Sequence, residues 1–401
     1  MRKICVITGT RAEFGLLSGL MRLIQQSDLT QLQVVATNMH LSPRYGNTYK
    51  EIEEAGFAID CKVPILDDAA ADNANETLRA MSRAITGFAE AYDALQPDLI
   101  VVLGDRFEIL AAVESAIIKQ IPVAHIHGGE LTLGAYDDAI RHSITKMSHL
   151  HFTSTEEYRH RVIQLGEQPV RVWYVGALGV ENIKKIELKD KSEIEKEIGF
   201  EIKNEGKVKT ILVTYHPVTL ENEVKDKAED QQLAQPQPSI QVFLDALDEF
   251  PDLHVIFTMP NSDNGGNVIR EAIENFVARN KARTCAHASL GMRRYLSVMK
   301  YCAAVVGNSS SGILETPSFH IPTLDIGSRQ GGRMAAESVW HCGTDKQSIV
   351  NGLKHILSDE FRQIAASASN PYEKEGTAEN IFNVISTYPL EGITQKHFYD
   401  L

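Results

Sequence analysis

The segment Thr8-Gly9-Thr10-Arg11-Ala12-Glu13 sets a glycine turn and a cation at the start of a helix-length stretch. Gly9 permits a tight turn, free backbone N–H groups at a helix start can receive an anion, and Arg11 suits a phosphate. An ordinary strand-to-helix turn with a surface arginine would carry the same letters. The pattern is neither GxGxxG nor a Walker motif, which disfavours NAD and ATP. In VVLGDRFEIL, residues 101–110, a buried strand ends at Leu103, and Gly104, Asp105 and Arg106 turn into a helix. Asp105 beside Arg106 reads as a structural pair, or as a general acid/base with a substrate-anchoring neighbour.

A denser cluster follows: His125-Ile126-His127-Gly128-Gly129-Glu130, then Asp137-Asp138 and Arg141-His142. Histidines alternating on a strand share one face, and adjacent glycines let a ligand approach the backbone. A metal site is the lesser reading, because no HExxH or comparable spacing occurs; Asp137 or Asp138 can instead cap a helix. Thr214-Tyr215-His216-Pro217 ends another apolar run, and His216 there is either a structural residue or a catalyst. In Val305-Val306-Gly307-Asn308-Ser309-Ser310-Ser311-Gly312, small residues and hydroxyls precede a helix start, offering donors to a diphosphate at its positive end. Glu315 has two oxygens for a ribose diol, and Pro317 implies a short or kinked helix. A serine-capped helix without ligand is the alternative. Gly327-Ser328-Arg329-Gln330-Gly331-Gly332-Arg333 repeats the theme after TLDI.

Short aliphatic runs alternate with amphipathic helix-length stretches, which predicts parallel sheets with crossover helices. Strands are expected at 3–8, 32–37, 58–64, 98–103, 122–126, 150–154 and 171–175, with helices near 14–26, 46–55, 73–95, 107–119, 136–147 and 156–165. A second series of strands is expected near 209–214, 253–257, 302–306 and 321–325. The expected class is α/β, two Rossmann-like doubly wound domains facing a cleft. The first spans 1–182, completed by a C-terminal helical tail in 373–401; the second spans 183–372. The charged segment 184–208 carries Ser192 and Glu195 at capping-box spacing, and 221–238, ending in QPQPS, reads as a rim loop. Each polar cluster falls just after a predicted strand, where open α/β sheets bind ligands.

Composition narrows the class. The 401 residues exceed one ordinary core, and 43% hydrophobic with 23% charged residues is globular. No apolar run approaches a membrane span, and the N-terminal run MRKICVITG stops too early for a signal core, so a cytoplasmic location is expected. A formal charge of −13 argues against nucleic acid as partner. The widely spaced Cys5, Cys61, Cys285, Cys302 and Cys342 read as buried free thiols.

Taken in order, TGTRAEFG, YGNTYKEIE, VLGDRFE, HIHGGE, YDDAIRHSITKMSH, YHPVT, GNSSSG with Glu315, and IGSRQGGR resemble the hydrolysing UDP-N-acetylglucosamine 2-epimerases of bacterial sialic-acid and legionaminic-acid biosynthesis over nearly the whole chain. The resemblance implies a GT-B-like fold, no metal or organic cofactor, and a homodimer or homotetramer. It implies conversion of UDP-N-acetylglucosamine to N-acetylmannosamine and UDP, by anti elimination through 2-acetamidoglucal and then hydration. By position it assigns Arg11, Arg106, Asn261, Tyr295, Ser309, Ser310, Glu315 and Arg329 to the UDP-sugar, with Tyr295 packing on uracil. Acid/base work falls to Asp105, Asp137 and His216, with Glu130 and His127 in reserve. Several members carry a catalytic Glu where this chain has His127. Other readings are the same chemistry on UDP-2,4-diacetamido-2,4,6-trideoxyglucose, a non-hydrolysing epimerase, a GT-B glycosyltransferase, or a catalytically dead nucleotide-sugar sensor. The non-hydrolysing type typically has TRPEAIK; TRAEFGL puts Leu16 in place of the lysine and favours hydrolysis.

Overall fold

The structure is a computed structural model describing residues 1–70, 73–132, 136–206, 208–217, 239–260 and 266–401. It divides into two compact units. One comprises Met1–Glu130, Asp137–Asn182 and Tyr372–Leu401; the other comprises Leu131–Tyr136 and Ile183–Pro371.

The first unit holds β1 (Arg2–Thr8), β2 (Thr30–Thr37), β3 (Cys61–Val63), β4 (Leu99–Leu103), β5 (Val123–Ile126), β6 (Leu150–Thr153) and β7 (Val172–Tyr174). They form one parallel sheet in the order β3-β2-β1-β4-β5-β6-β7. Both faces of β1 are buried: Ile4 and Val6 enter one core cluster, Cys5 and Ile7 the other. Helix α1 (Arg11–Gln26) covers the first face with Phe14, Leu17, Leu20, Met21 and Ile24. Each such large apolar side chain contributes roughly 1.5–3 kcal/mol when fully buried. Helices α2 (Tyr49–Glu54), α3 (Ala74–Leu95), α4 (Phe107–Ile118) and α5 (Asp137–Met147) follow in chain order. The strand order reverses between β1 and β4, so the loops leaving these two neighbours open onto the switch-point crevice. The tail helix Thr377–Thr387 packs on α1 through Ile381 and Ile385. Arg2 locks it by donating to the carbonyls of Ile385 and Tyr388 at 2.6 and 2.8 Å.

The second unit contains β8 (Asn204–Glu205), β9 (Val208–Thr214), β10 (His254–Thr258), β11 (Thr284–His287), β12 (Ala304–Gly307), β13 (Thr323–Ile326) and β14 (Val339–Cys342). The parallel path runs β11-β10-β9-β12-β13-β14, with β8 antiparallel to β9. Its switch point lies between β9 and β12. The edge strands β11 and β14 were not foreseen, because TCAH and VWHC are short and partly exposed and show no apolar run. The segment 184–208 does contain a helix, Lys191–Ile198, but its cap is Asp190, whose Oδ1 accepts from Glu193 N at 2.8 Å; Ser192 lies inside. The expected rim loop 221–238 lies outside the described residues.

The five cysteines are free thiols, but only Cys5 and Cys302 are buried; Cys61, Cys285 and Cys342 are half-buried. Among the described residues no helix is long and apolar enough to cross a membrane.

Candidate active site

In the first unit the β1–α1 turn is built differently from the open anion cradle its sequence suggests. Thr10 caps α1 and Glu13 reaches back, its Oε2 accepting from Gly9 N at 2.7 Å and Thr10 N at 3.1 Å. Those two amides are therefore already satisfied by a carboxyl group. Arg11 pairs with Glu51 of α2. Gly9 is required by packing: a Cβ there would sit 2.5 Å from Glu108 Oε1. His40 lies below the turn, between the hydroxyls of Thr8 and Thr48 at 3.1 and 2.8 Å. Burial pushes its ring down to about 4, so it is neutral.

At the end of β4 the adjacent Asp105 and Arg106 do not pair with each other. Arg106 Nε donates to Glu108 Oε1 at 2.8 Å, and Asn38 Nδ2 donates to the same oxygen at 2.6 Å. Asp105 instead accepts from Arg141 of α5. The Arg141 side chain is 3% exposed against 22% for Asp105, so a buried guanidinium presents a partly accessible carboxylate. Arg141 Nε and Nη1 have no hydrogen-bond partner among the described residues. This arrangement orients Asp105.

The histidines of HIHGGE part company. His125 lies in β5, its Nε2 donating to Gly104 O at 2.8 Å and its Nδ1 facing the Thr145 hydroxyl at 3.2 Å. Burial pushes it down to about 3, and it braces the loop that holds Asp105. His127 lies past the strand at φ 66°, a left-handed residue turned out of the alternation expected for it. Its Nδ1 is 3.5 Å from Glu130 Oε1, which also accepts from Ser154 Oγ at 2.7 Å. Asp137 and Asp138 lie in the first turn of α5, and Asp138 is 3.5 Å from His142.

In the second unit Asn308 is the organising residue. Its Oδ1 accepts from His216 N at 2.7 Å and its Nδ2 donates to His216 O at 2.8 Å, tying the end of β9 to the end of β12. Its own carbonyl accepts from Arg329 Nη1 at 3.2 Å and Gln330 Nε2 at 2.8 Å. Thus His216, Ser309, Ser310 and Arg329 are brought together around one buried amide. Gly307, at φ 141°, admits no side chain because Thr214 O occupies the place of a Cβ. The helix after the serines is only Ser311–Leu314, followed by the 3-10 turn Thr316–Phe319, so the helix-dipole contribution expected there is small. Anion recognition would rest on backbone N–H groups, hydroxyls and Arg329. Glu315 is half-buried behind the turn. The Tyr295 hydroxyl points into this packing: burial pushes it up to about 12, with Ser311 and Thr214 facing it and Glu315 nearby. Asn261 lies outside the described residues.

Asn308→Ala removes both hydrogen bonds and strands the buried N–H and C=O of His216, each at a cost of about 1–3 kcal/mol. Urea unfolding monitored on the second unit should show a loss of at least about 2 kcal/mol. A loss below about 0.5 kcal/mol would deny Asn308 this role.

The UDP-N-acetylglucosamine 2-epimerase family matches residues 22–386. The chain belongs to this family. A Campylobacter jejuni protein, GDP/UDP-N,N'-diacetylbacillosamine 2-epimerase (hydrolyzing), is 39% identical over 100% of this chain and 99% of its own length. The polysialic acid biosynthesis protein P7 of Escherichia coli is 37% identical over 100% of this chain and 98% of its own. The crystal structure of a Neisseria meningitidis UDP-GlcNAc 2-epimerase bound to UDP-GlcNAc aligns with a TM-score of 0.77 at 18% identity, covering 96% of this chain and 99% of that one. The fold is therefore the GT-B-like pair of α/β sheets of these epimerases.

Within this epimerase-family chain, Glu13, Glu108, Arg141 and Asn308 stand inside the motifs read from the sequence, but only the structure gives them a role. The i, i+3 spacing of Thr10 and Glu13 was a visible capping-box signal. Nothing local marks the contacts of Glu108 with Asn38, Arg141 with Asp105 or Asn308 with His216, since these cross between elements. Among the described residues no group of three or more His, Cys, Asp or Glu is placed to hold a metal ion.

Proposed function

We propose that the chain is a hydrolysing 2-epimerase that cleaves a UDP-linked 2-acetamido sugar, releasing UDP and the free sugar inverted at C2. The observation that carries this reading is the full-length, 39% identity to a hydrolysing 2-epimerase, joined to Asp105, which follows β4 at the switch point of the first unit and is held by Arg141. Leu16, where the non-hydrolysing type carries lysine, supports hydrolysis.

In this reading the second unit binds the nucleotide: Ser309, Ser310 and Arg329 meet the diphosphate, Glu315 the ribose and Tyr295 the uracil, with Asn261 as a polar loop residue of the same UDP-sugar site. Arg11 and Arg106 add cations from the first unit. Asp105, Asp137 and His216 share the acid/base work, with Glu130 and His127 as further candidates. A base takes the C2 proton; the electron pair forms the C1=C2 bond as the C1–O bond breaks, and UDP leaves with the bonding electrons. Donors on the diphosphate stabilise that departing charge. Water then adds its oxygen to C1 of 2-acetamidoglucal, and a proton returns to the opposite face of C2. The first substrate is UDP-N-acetylglucosamine, giving N-acetylmannosamine for sialic-acid synthesis, and the likeness to the E. coli polysialic acid protein supports it. The second is UDP-2,4-diacetamido-2,4,6-trideoxyglucose, which the name of the C. jejuni relative supports.

Each UDP-sugar is to be incubated with the protein in D2O and followed by NMR. Release of UDP with deuterium at C2 of the free sugar is the expected result, and the faster sugar is the substrate. UDP retained on a C2-inverted sugar would instead establish the non-hydrolysing reaction. No UDP release without an added acceptor would point to a glycosyltransferase.

A further inference from the structure

Two carboxyl groups that the proposed chemistry does not use lie beneath the loops leaving β1 and β4. Glu13 stands in the first turn of α1 and Glu108 in the first turn of α4, 6% and 0% exposed. Both converge on Gly9: Glu13 Oε2 accepts its N–H at 2.7 Å, while Glu108 Oε1 fills the space a Cβ would need. The remaining oxygens, Glu13 Oε1 and Glu108 Oε2, are buried and have no hydrogen-bond partner among the described residues. The groups facing the pair are the Arg106 guanidinium and Asn38 amide on Glu108, and the Gly9 and Thr10 N–H groups on Glu13. Arg11, engaged with Glu51, and the neutral His40 lie around the same turn. Two buried carboxylates set against the Arg106 guanidinium carry excess negative charge, which a single proton removes. That proton also supplies a donor where two acceptor oxygens lack one.

We propose that Glu13 and Glu108 share one proton and act as a positioning pair, holding Arg106 and the Gly9–Thr10 turn in place for the sugar diphosphate. The activity readout rests on the epimerase reading above. Anionic Glu108 fixes Arg106 through Nε, and protonated Glu13 still accepts from the turn amides. Loss of the proton leaves two repelling carboxylates, which loosens the turn and draws Arg106 away from substrate. Burial, with the Glu108 charge second, pushes Glu13 up to about 8 from an ordinary 4.5, so this loss occurs in an accessible range. The folded value is the raised one, so the stability it contributes is complete below about pH 4.5 and is lost as pH rises through about 8.

Glu13→Gln fixes the protonated form in place: its carbonyl accepts from the turn and its amide donates to Glu108. The test measures kcat/KM for UDP release and the thermal midpoint from about pH 6 to about pH 9.5, for parent, Glu13→Gln and Glu108→Gln. The parent should lose about tenfold in kcat/KM per pH unit above about 8, while its midpoint falls from about pH 6 to about 8 and levels off above that. Glu13→Gln should stay within about threefold of parent at pH 7, carry the activity at least about one unit higher, and flatten the midpoint profile. Glu108→Gln should lower kcat about tenfold at pH 7 by leaving Arg106 without its anion. An alkaline limb and midpoint slope unchanged in Glu13→Gln would overturn the proposal. A loss of more than about thirtyfold in that variant at pH 7 would do the same. Should no UDP-sugar be cleaved, the epimerase reading fails by itself, and the midpoint profiles still decide whether the pair shares a proton.

Discussion

Asp105→Asn should lower turnover by about 10² or more while UDP binds within about threefold of the parent. The amide keeps the shape of the carboxyl and an oxygen for Arg141, but it cannot take up a proton near neutral pH. A structural effect accompanies the chemical one, because Arg141 is 3% exposed and loses its counter-charge. Breaking a fully buried pair costs about 3–5 kcal/mol; Asp105 is 22% exposed, so solvent reduces that figure. Circular dichroism melts and UDP calorimetry on the same preparation separate the two effects. Near-parental kcat in a folded variant would remove Asp105 from the proton transfers.

Glu315→Ala should weaken UDP binding about 10- to 100-fold, with kcat at saturating substrate changed less than about threefold. Hydrogen bonds from neutral hydroxyls to a carboxylate are worth about 1.5–3 kcal/mol, and each 1.4 kcal/mol is about tenfold in affinity. The ribose is remote from the breaking C1–O bond, so its contacts act in ground and transition states alike. Calorimetry with UDP checks the first part and saturation kinetics the second. An unchanged Kd would place the ribose elsewhere and undo the nucleotide site proposed around Ser309 and Ser310. Paired with Asp105→Asn, this variant separates ribose binding at Glu315 from proton transfer at Asp105.

The strand ends were legible because burial on both sheet faces leaves continuous aliphatic runs such as ICVI and LIVVL, and the polar clusters begin where those runs stop. Sequence order alone therefore marked Thr8–Glu13, Gly104–Arg106, His125–Glu130, Thr214–His216 and Gly307–Ser311 as polar stretches at strand ends, and the structure puts each at the end of a strand. The short edge strands escaped, as did the cap at Asp190, since a single hydroxyl or carboxylate two positions away gives an equally good local pattern.

What the chain's letters determined by themselves was a two-sheet α/β organisation and the residue types at each strand end. Side-chain periods of 2 and 3.6 are local properties, readable within a dozen residues. Only the folded structure decided who pairs with whom. Asp105 takes Arg141 from α5, Glu108 takes Asn38 from beyond β2, and Asn308 holds His216 across β9 and β12. The reason is that partner choice follows from strand order across a sheet, which packing of the whole unit sets. Adjacent residues in sequence, by contrast, point where the backbone turns them: His125 into the core and His127, in a left-handed conformation, out of that alternation.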